Sequence, residues 1–251
     1  MGSNRDMAIT SENEGMQSEL VIWQQNLNKS QVGQHDIISS GKLVHANMDL
    51  VAIQEPALNF KDNTIAGRDW IAIYPSTHRK EPRKARSPLL MSRRLPTKNW
   101  EQVEFNSGDV MVVKITSNWG QITLFNIYND CTHDETIHEL MMYCRANHVT
   151  LTGSQAREDL HHMIWAGDFN RHHPAWDKPE DTHLFTREAL EAAELLIKVT
   201  ADLRLDTALP ARVPTHIHNV TKRWTRLDQI FVSESLWTPS SHVKPGKVKG
   251  D

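Results

Sequence analysis

Short apolar runs that stop abruptly at an amide or a carboxylate recur along this chain. No other feature constrains its fold as tightly. Leu20-Val21-Ile22-Trp23 leads into Gln24-Gln25-Asn26, Leu50-Val51-Ala52-Ile53 into Gln54-Glu55-Pro56, and Met163-Ile164-Trp165-Ala166 into Gly167-Asp168-Phe169-Asn170. Continuous apolar runs this short, closed by turn residues, read as buried strands. A strand buried on both faces needs a layer on each side of its sheet. Residues 70–74, 89–91 and 227–232 read as further strands, and residues 109–115 and 121–128 as a hairpin around Asn118-Trp119-Gly120.

Helical periodicity appears over residues 30–47, 132–151 and 186–205. In the last of these Leu190, Ala193, Leu196, Ile197 and Leu203 form one apolar stripe. Ser30, Thr132 and Asp134 are available as caps. Strands, helices and hairpins interleave without strict βαβ alternation, so a mixed-sheet sandwich with outer helices is expected. No repeat or composition break follows residue 20. One domain over residues 20–251 is therefore expected, behind a polar leader, residues 1–19, read as disordered.

Composition narrows the possible partners. Lys and Arg total 28 against 31 Asp and Glu, a formal charge of −3, which excludes a uniformly basic coat but not a local basic patch. With 39% hydrophobic residues a large core is available. Two cysteines exclude a disulfide scaffold and a four-cysteine zinc site, and favour a reducing compartment. There is no apolar run of membrane-spanning length and no signal-peptide core near the N-terminus, so an intracellular protein is expected.

Asn26, Glu55, Asp168, Asn170 and Asp228 all stand at strand ends, where the rim of a sheet can collect them. Oxygen ligands without a cysteine cluster suit a hard cation such as Mg²⁺ or Mn²⁺. A hard cation beside carboxylates suits phosphate-ester hydrolysis.

Five motifs occur in order: residues 23–30 (WQQNLNKS), Gln54-Glu55-Pro56, Ile127-Tyr128, Gly167-Asp168-Phe169-Asn170 and residues 226–232 (RLDQIFV). Together they resemble the endonuclease/exonuclease/phosphatase (DNase I-like) superfamily. The closest resemblance is to the endonuclease domains of fungal non-LTR retrotransposons, whose pattern residues 166–177 (AGDFNRHHPAWD) also follow. The resemblance implies an α+β fold, a four-layer sandwich of two mixed sheets face to face with helices outside. It implies Glu55 as principal metal ligand with Asn26 beside it, and Tyr128 as a contact to the scissile phosphate. It further implies Asp168 as the carboxylate that orients or deprotonates water, Asn170 as a transition-state donor, and Asp228 as the partner of a catalytic His. On the residues alone, Tyr128 can also be core and Asn26 a turn amide, though the functional reading of each is the stronger.

The superfamily closes on an Asp-His pair. Ser240-Ser241-His242 lacks the Asp, whereas Asp251 stands at about the family's spacing from Asp228. Asp251 is therefore read as the Asp of the pair, catalytic and metal-binding, with the His and the strand after it absent. The expectation is a domain truncated at its C-terminus with little or no activity unless His242 substitutes.

For substrate, Arg79, Lys80, Arg83, Lys84, Arg86, Arg93, Arg94 and Lys98 crowd one segment, with Glu81 the acid among them. Such a patch suits a phosphate backbone. Arg83, Lys84, Arg86, Arg93 and Arg94 are accordingly read as DNA contacts, with Arg171 and His172 in the loop after Asn170. Arg223 and Trp224 join them, the indole either stacking on bases or serving as core. The function expected is a Mg²⁺-dependent endonuclease, nuclear and acting with a reverse transcriptase, that nicks DNA to prime reverse transcription. The alternatives are a phosphatase or phosphodiesterase on small-molecule or lipid phosphates, and a non-catalytic DNA-binding relic.

Overall fold

The computed structural model describes residues 5–9, 20–39, 47–117, 120–152, 161–217, 222–236 and 242–245. The chain opens with β1 (Arg5–Ile9), β2 (Leu20–Asn26), α1 (Gln31–Ser39), β3 (Leu50–Gln54), β4 (Trp70–Ile73) and β5 (Leu89–Ser92). β6 (Trp100–Val103), β7 (Val110–Ser117), β8 (Gly120–Tyr128), α2 (Glu135–Ala146), α3 (His148–Thr152) and β9 (His161–Asp168) follow. The remainder is α4 (Arg187–Asp202), β10 (Leu205–Thr207), β11 (His216–Ile217), β12 (Trp224–Thr225), β13 (Asp228–Ser233) and β14 (His242–Pro245).

Two six-stranded mixed sheets result, in the orders β14-β1-β2-β3-β5-β4 and β10-β13-β9-β8-β7-β6, and β11 pairs with β12 as a small ribbon. Each sheet has one parallel pair at its centre, β2 with β3 and β8 with β9. Strand alternation builds the layers, because successive side chains face opposite ways. Leu50 and Ala52 of β3 face Ile122, Leu124, Ile164 and Ala166 between the sheets. Val51 and Ile53 face outward and are covered by Ile37 and Ile38 of α1. Phe125, Ile127 and Trp165 face outward from the second sheet beneath Ile137 and Leu140 of α2 and Ala193 and Leu196 of α4. This is the expected four-layer α+β sandwich.

Several local expectations need correction. Residues 5–9, inside the expected disordered leader, form β1 and pair antiparallel with β2 and β14. The helix expected over residues 132–151 breaks at Asn147 into α2 and α3, and Asp134 makes no side-chain cap bond because Arg171 takes its carboxylate. His162 lies inward in β9 at 7% exposure, with Nδ1 2.9 Å from Ser235 Oγ. Ser30 does cap α1, accepting from Gly33 N at 3.0 Å, and the part of that expected helix beyond Ser39 falls on residues 40–46, outside the described residues. Asp251 also lies outside them.

Gly167 is required by the parallel pairing of β8 and β9. A Cβ there would sit 1.9 Å from the Ile127 carbonyl oxygen.

Candidate active site

The space between the sheets changes character along the strands. At one end the inward-facing rows are apolar. Two residues further along each strand, the same rows carry Gln24, Gln54, Asn126, Asp168 and Asp228, all at 4% exposure or less. Strand register holds these side chains at one level: Asp168 is paired with Tyr128 on one side and Asp228 on the other, and Asn26 with Gln54.

Their hydrogen bonds cross the gap between sheets. Asn26 Nδ2 donates to Asp168 Oδ2 at 2.6 Å and to Glu55 Oε2 at 3.3 Å, so one amide bridges the two carboxylates. Asp168 Oδ1 accepts from Asn170 N at 3.0 Å, and Asn170 Nδ2 donates to the Asn129 carbonyl at 2.8 Å. Gln24 Nε2 donates to Asp228 Oδ1 at 3.0 Å and to Gln54 Oε1 at 2.6 Å. Gln54 Nε2 in turn bonds Asn126 Oδ1, whose amide donates to the carbonyls of Ile53, Ser87 and Pro88. Thr215 Oγ1 accepts from the backbone of Leu227 and Asp228, each at 3.2 Å, which fixes the start of β13.

Glu55 and Asn170 both adopt left-handed backbone, at φ of 45° and 49°. That conformation is natural for Asn but strained for Glu, at a cost on the order of 1 kcal/mol. Glu55 is held there from both sides: its N–H donates to the Arg86 carbonyl at 2.8 Å and its carbonyl accepts from Lys29 N at 2.9 Å.

The electrostatics follow from burial and crowding. Burial, then the charge of Asp228, push the Asp168 carboxyl well above the ordinary carboxylate range, against the opposing bonds from Asn26 and Asn170. Burial, then the charge of Glu55, raise the Tyr128 phenol, and Arg86 opposes them. Tyr128 thus borders the Glu55 and Asp168 carboxylates while only 8% exposed.

No three His, Cys, Asp or Glu side chains among the described residues gather into a metal cage. The ligand oxygens that do meet are those of Glu55 and Asp168, with no cysteine; the Asn26 amide turns Nδ2 toward both, and its Oδ1 accepts from Asn28 N at 2.7 Å. This set fits Mg²⁺ or Mn²⁺, which use one or two carboxylates and fill the remaining positions with water and phosphate oxygens.

The expected DNA contacts divide. Arg86 is not a free cation: it binds Asp109 through two bonds of 2.6 Å and Asp130 at 2.7 Å, and lies over the Tyr128 ring. Arg171, at 4% exposure, is consumed by Asp134 and the carbonyls of His133, Asp130 and Asn170. Arg94 ties the Met48 carbonyl and Asn47 at the opposite end of the first sheet, and Arg93, its neighbour after β5, lies there too. Arg83 and Lys84 stay at the site end, exposed, paired with Asp62 and Glu81. His172 is held through Nδ1 by the buried Asp177 at 3.2 Å. Arg223 is exposed beside His183, and Trp224 is half-buried in β12.

Gln24, Asn126 and Arg226 were not expected. Arg226, at 1% exposure, ties the loop before β11 by donating to the carbonyls of Pro210 at 2.6 Å and Leu209 at 3.3 Å. The signal for the two amides is their strand parity: each continues an inward-facing apolar row.

Comparison with known proteins follows this geometry. The endonuclease-reverse transcriptase family matches residues 122–249, half of the chain. The fold is similar to the endonuclease domain of TRAS1, a telomere-specific non-LTR retrotransposon, at 16% identity and a TM-score of 0.62, covering 85% of this chain and 84% of that one. It is also similar to the AP endonuclease LMAP from Leishmania major, at 15% identity and a TM-score of 0.59, covering 84% of this chain and 78% of that one. No curated protein sequence gives a significant match. The chain belongs to the endonuclease-reverse transcriptase family, and its fold is the DNase I-like four-layer sandwich.

Proposed function

We propose that this protein is a divalent-metal-dependent endonuclease that nicks DNA. The observation that carries the reading is the Asn26 amide bridging Glu55 and Asp168 at the ends of strands from two different sheets. A structural core has no use for two such carboxylates beside a third, Asp228, whereas a phosphodiesterase does.

Glu55 would hold Mg²⁺ or Mn²⁺, with Asn26, through its Oδ1, and Asp251 as the further ligands that the family resemblance implies. When bound, the cation supplies charge stabilisation at a phosphoryl oxygen. In its ionised form Asp168 accepts a proton from the attacking water, and its raised proton affinity makes it a stronger base there, with a rate that climbs as pH rises through neutrality. Tyr128 contacts the scissile phosphate through its phenol, and Asn170 donates to the charge that develops there. Asp228 is held in orientation by Gln24. In this reading the product is a 3′-hydroxyl that primes a partner reverse transcriptase in the nucleus. That finer assignment rests on likeness to retrotransposon endonucleases and on the exposed cations Arg83, Lys84 and Arg223.

A supercoiled plasmid incubated with the protein tests the reading. Nicked circles are expected with Mg²⁺ and neither with EDTA nor with Glu55→Ala. Nicking that survives Glu55→Ala overturns the site assignment. Absence of wild-type nicking alongside turnover of a small phosphate ester overturns the substrate.

A further inference from the structure

Phe60 is the most exposed large apolar side chain among the described residues, at 91%. It does not sit on a loose loop. Leu58 bridges Thr64 in antiparallel fashion, and Asn59 Oδ1 accepts from Lys61 N at 2.8 Å and Asn63 N at 3.2 Å. Asn59 N donates to the Asn63 carbonyl and Asp62 N to the Asn59 carbonyl, which closes the tip. The base of the loop is equally fixed. Gln34 of α1 accepts from Ala57 N at 2.7 Å and bonds Thr64, and Thr64 N donates to the Tyr74 hydroxyl at 3.0 Å. Arg83 braces the side through Asp62 at 3.0 Å.

A rigid loop that holds an aromatic ring in water gains nothing for folding. Burying that ring in a partner needs no further ordering of the loop. The surroundings indicate the partner. Lys61 Nζ lies 5.6 Å from the ring centroid, and the Arg83 side chain is 82% exposed on the same loop's flank. An aromatic ring framed by cations matches a stacked base framed by phosphates, not an apolar protein surface. The loop also leaves directly from Glu55. Five residues of chain reach at most about 18 Å, roughly five base steps at 3.4 Å per step.

We propose that Phe60 is a base-contacting residue, entering a base step of the duplex bound at the Glu55 end and helping to set where the nick falls. The inference rests on the nuclease reading above and deepens it. Wedges of this kind unstack a step and bend the duplex toward more protein contact.

The test uses the full chain, a fluorescein-labelled duplex and metal-free buffer with EDTA, so that binding is read without cleavage. Phe60→Ala is expected to weaken binding roughly tenfold, Phe60→Trp to restore it, and Phe60→Ala to leave the melting temperature unchanged. With Mg²⁺ present, sequencing of nicked plasmid is expected to show a redistributed set of nick positions for Phe60→Ala. Unchanged affinity and an unchanged nick map, with the wild type binding and nicking, overturn the inference and leave the nuclease reading standing. Failure of the wild type to bind any duplex removes both. A wild-type dimer that Phe60→Ala dissociates, with duplex affinity unchanged, overturns the inference in favour of a second copy of the chain as occupant.

Discussion

The guanidinium of Arg86 lies 4.4 Å above the ring of Tyr128, and the backbone carbonyl of the same residue accepts from the N–H of Glu55. One basic residue, read from sequence as a DNA contact, therefore positions both the phenol proposed to contact phosphate and the principal metal-ligand candidate. Arg86→Ala should lower nicking at least tenfold. It should also destabilise the fold by about 2 kcal/mol, because it strands the half-buried carboxylates of Asp109 and Asp130. Urea denaturation and nicking rates check both. Loss of stability without loss of activity would reduce Arg86 to a structural clamp.

The same contact sets an acid response. Arg86, then Thr132, hold the Asp130 carboxyl well below the ordinary carboxylate range. A folded-state pKa below the unfolded value of about 3.9 means that the stabilisation is fully present above that pH and is lost as pH falls toward the folded value. Asp130→Asn should therefore lower the urea midpoint at neutral pH, and the gap from wild type should close steadily below about pH 4. A gap constant with pH would assign the effect to packing.

Asp168, crowded by Asp228, predicts opposite signs for stability and activity. Burial and the charge of Asp228 make an ionised Asp168 unfavourable in the fold. Asp168→Asn should lower nicking about 10²–10⁴-fold yet raise the melting temperature in metal-free buffer, because it removes a crowded charge and keeps the shape. A drop in melting temperature would show that the carboxylate is needed to hold Asn26 and Asn170.

The amide ladder between the sheets is a separate determinant. Gln24→Leu takes a donor from Asp228 and from Gln54 in a buried layer, at a cost of about 1–3 kcal/mol. Urea denaturation of this variant against Gln25→Leu, on the other face of β2, separates the ladder from generic loss of an amide.

The apolar runs in sequence announced β2, β3 and β9 because both of their faces are covered, and the residues that end them come together in the candidate site. Gln24 and Asn126 were missed because a polar residue inside an apolar row looks like a defect until the facing sheet supplies its partner. Arg86, Arg94 and Arg171 were misjudged for a related reason. Charge density in sequence does not reveal which cations the fold pairs with Asp109, the Met48 carbonyl or Asp134. Strands β1, β6 and β14 are edge or near-edge strands of four or five residues, too short for local periodicity to leave a trace.

The central claim is that Asn26, Glu55, Asp168 and Asn170 act as one catalytic unit. Single-turnover plasmid nicking in Mg²⁺ by Asn26→Ala, Asp168→Asn and the double variant measures this directly. Groups that act as a unit are strongly non-additive, so the double variant should be no slower than the worse single variant. Independent, multiplicative losses, or wild-type rates in either single variant, would contradict the account.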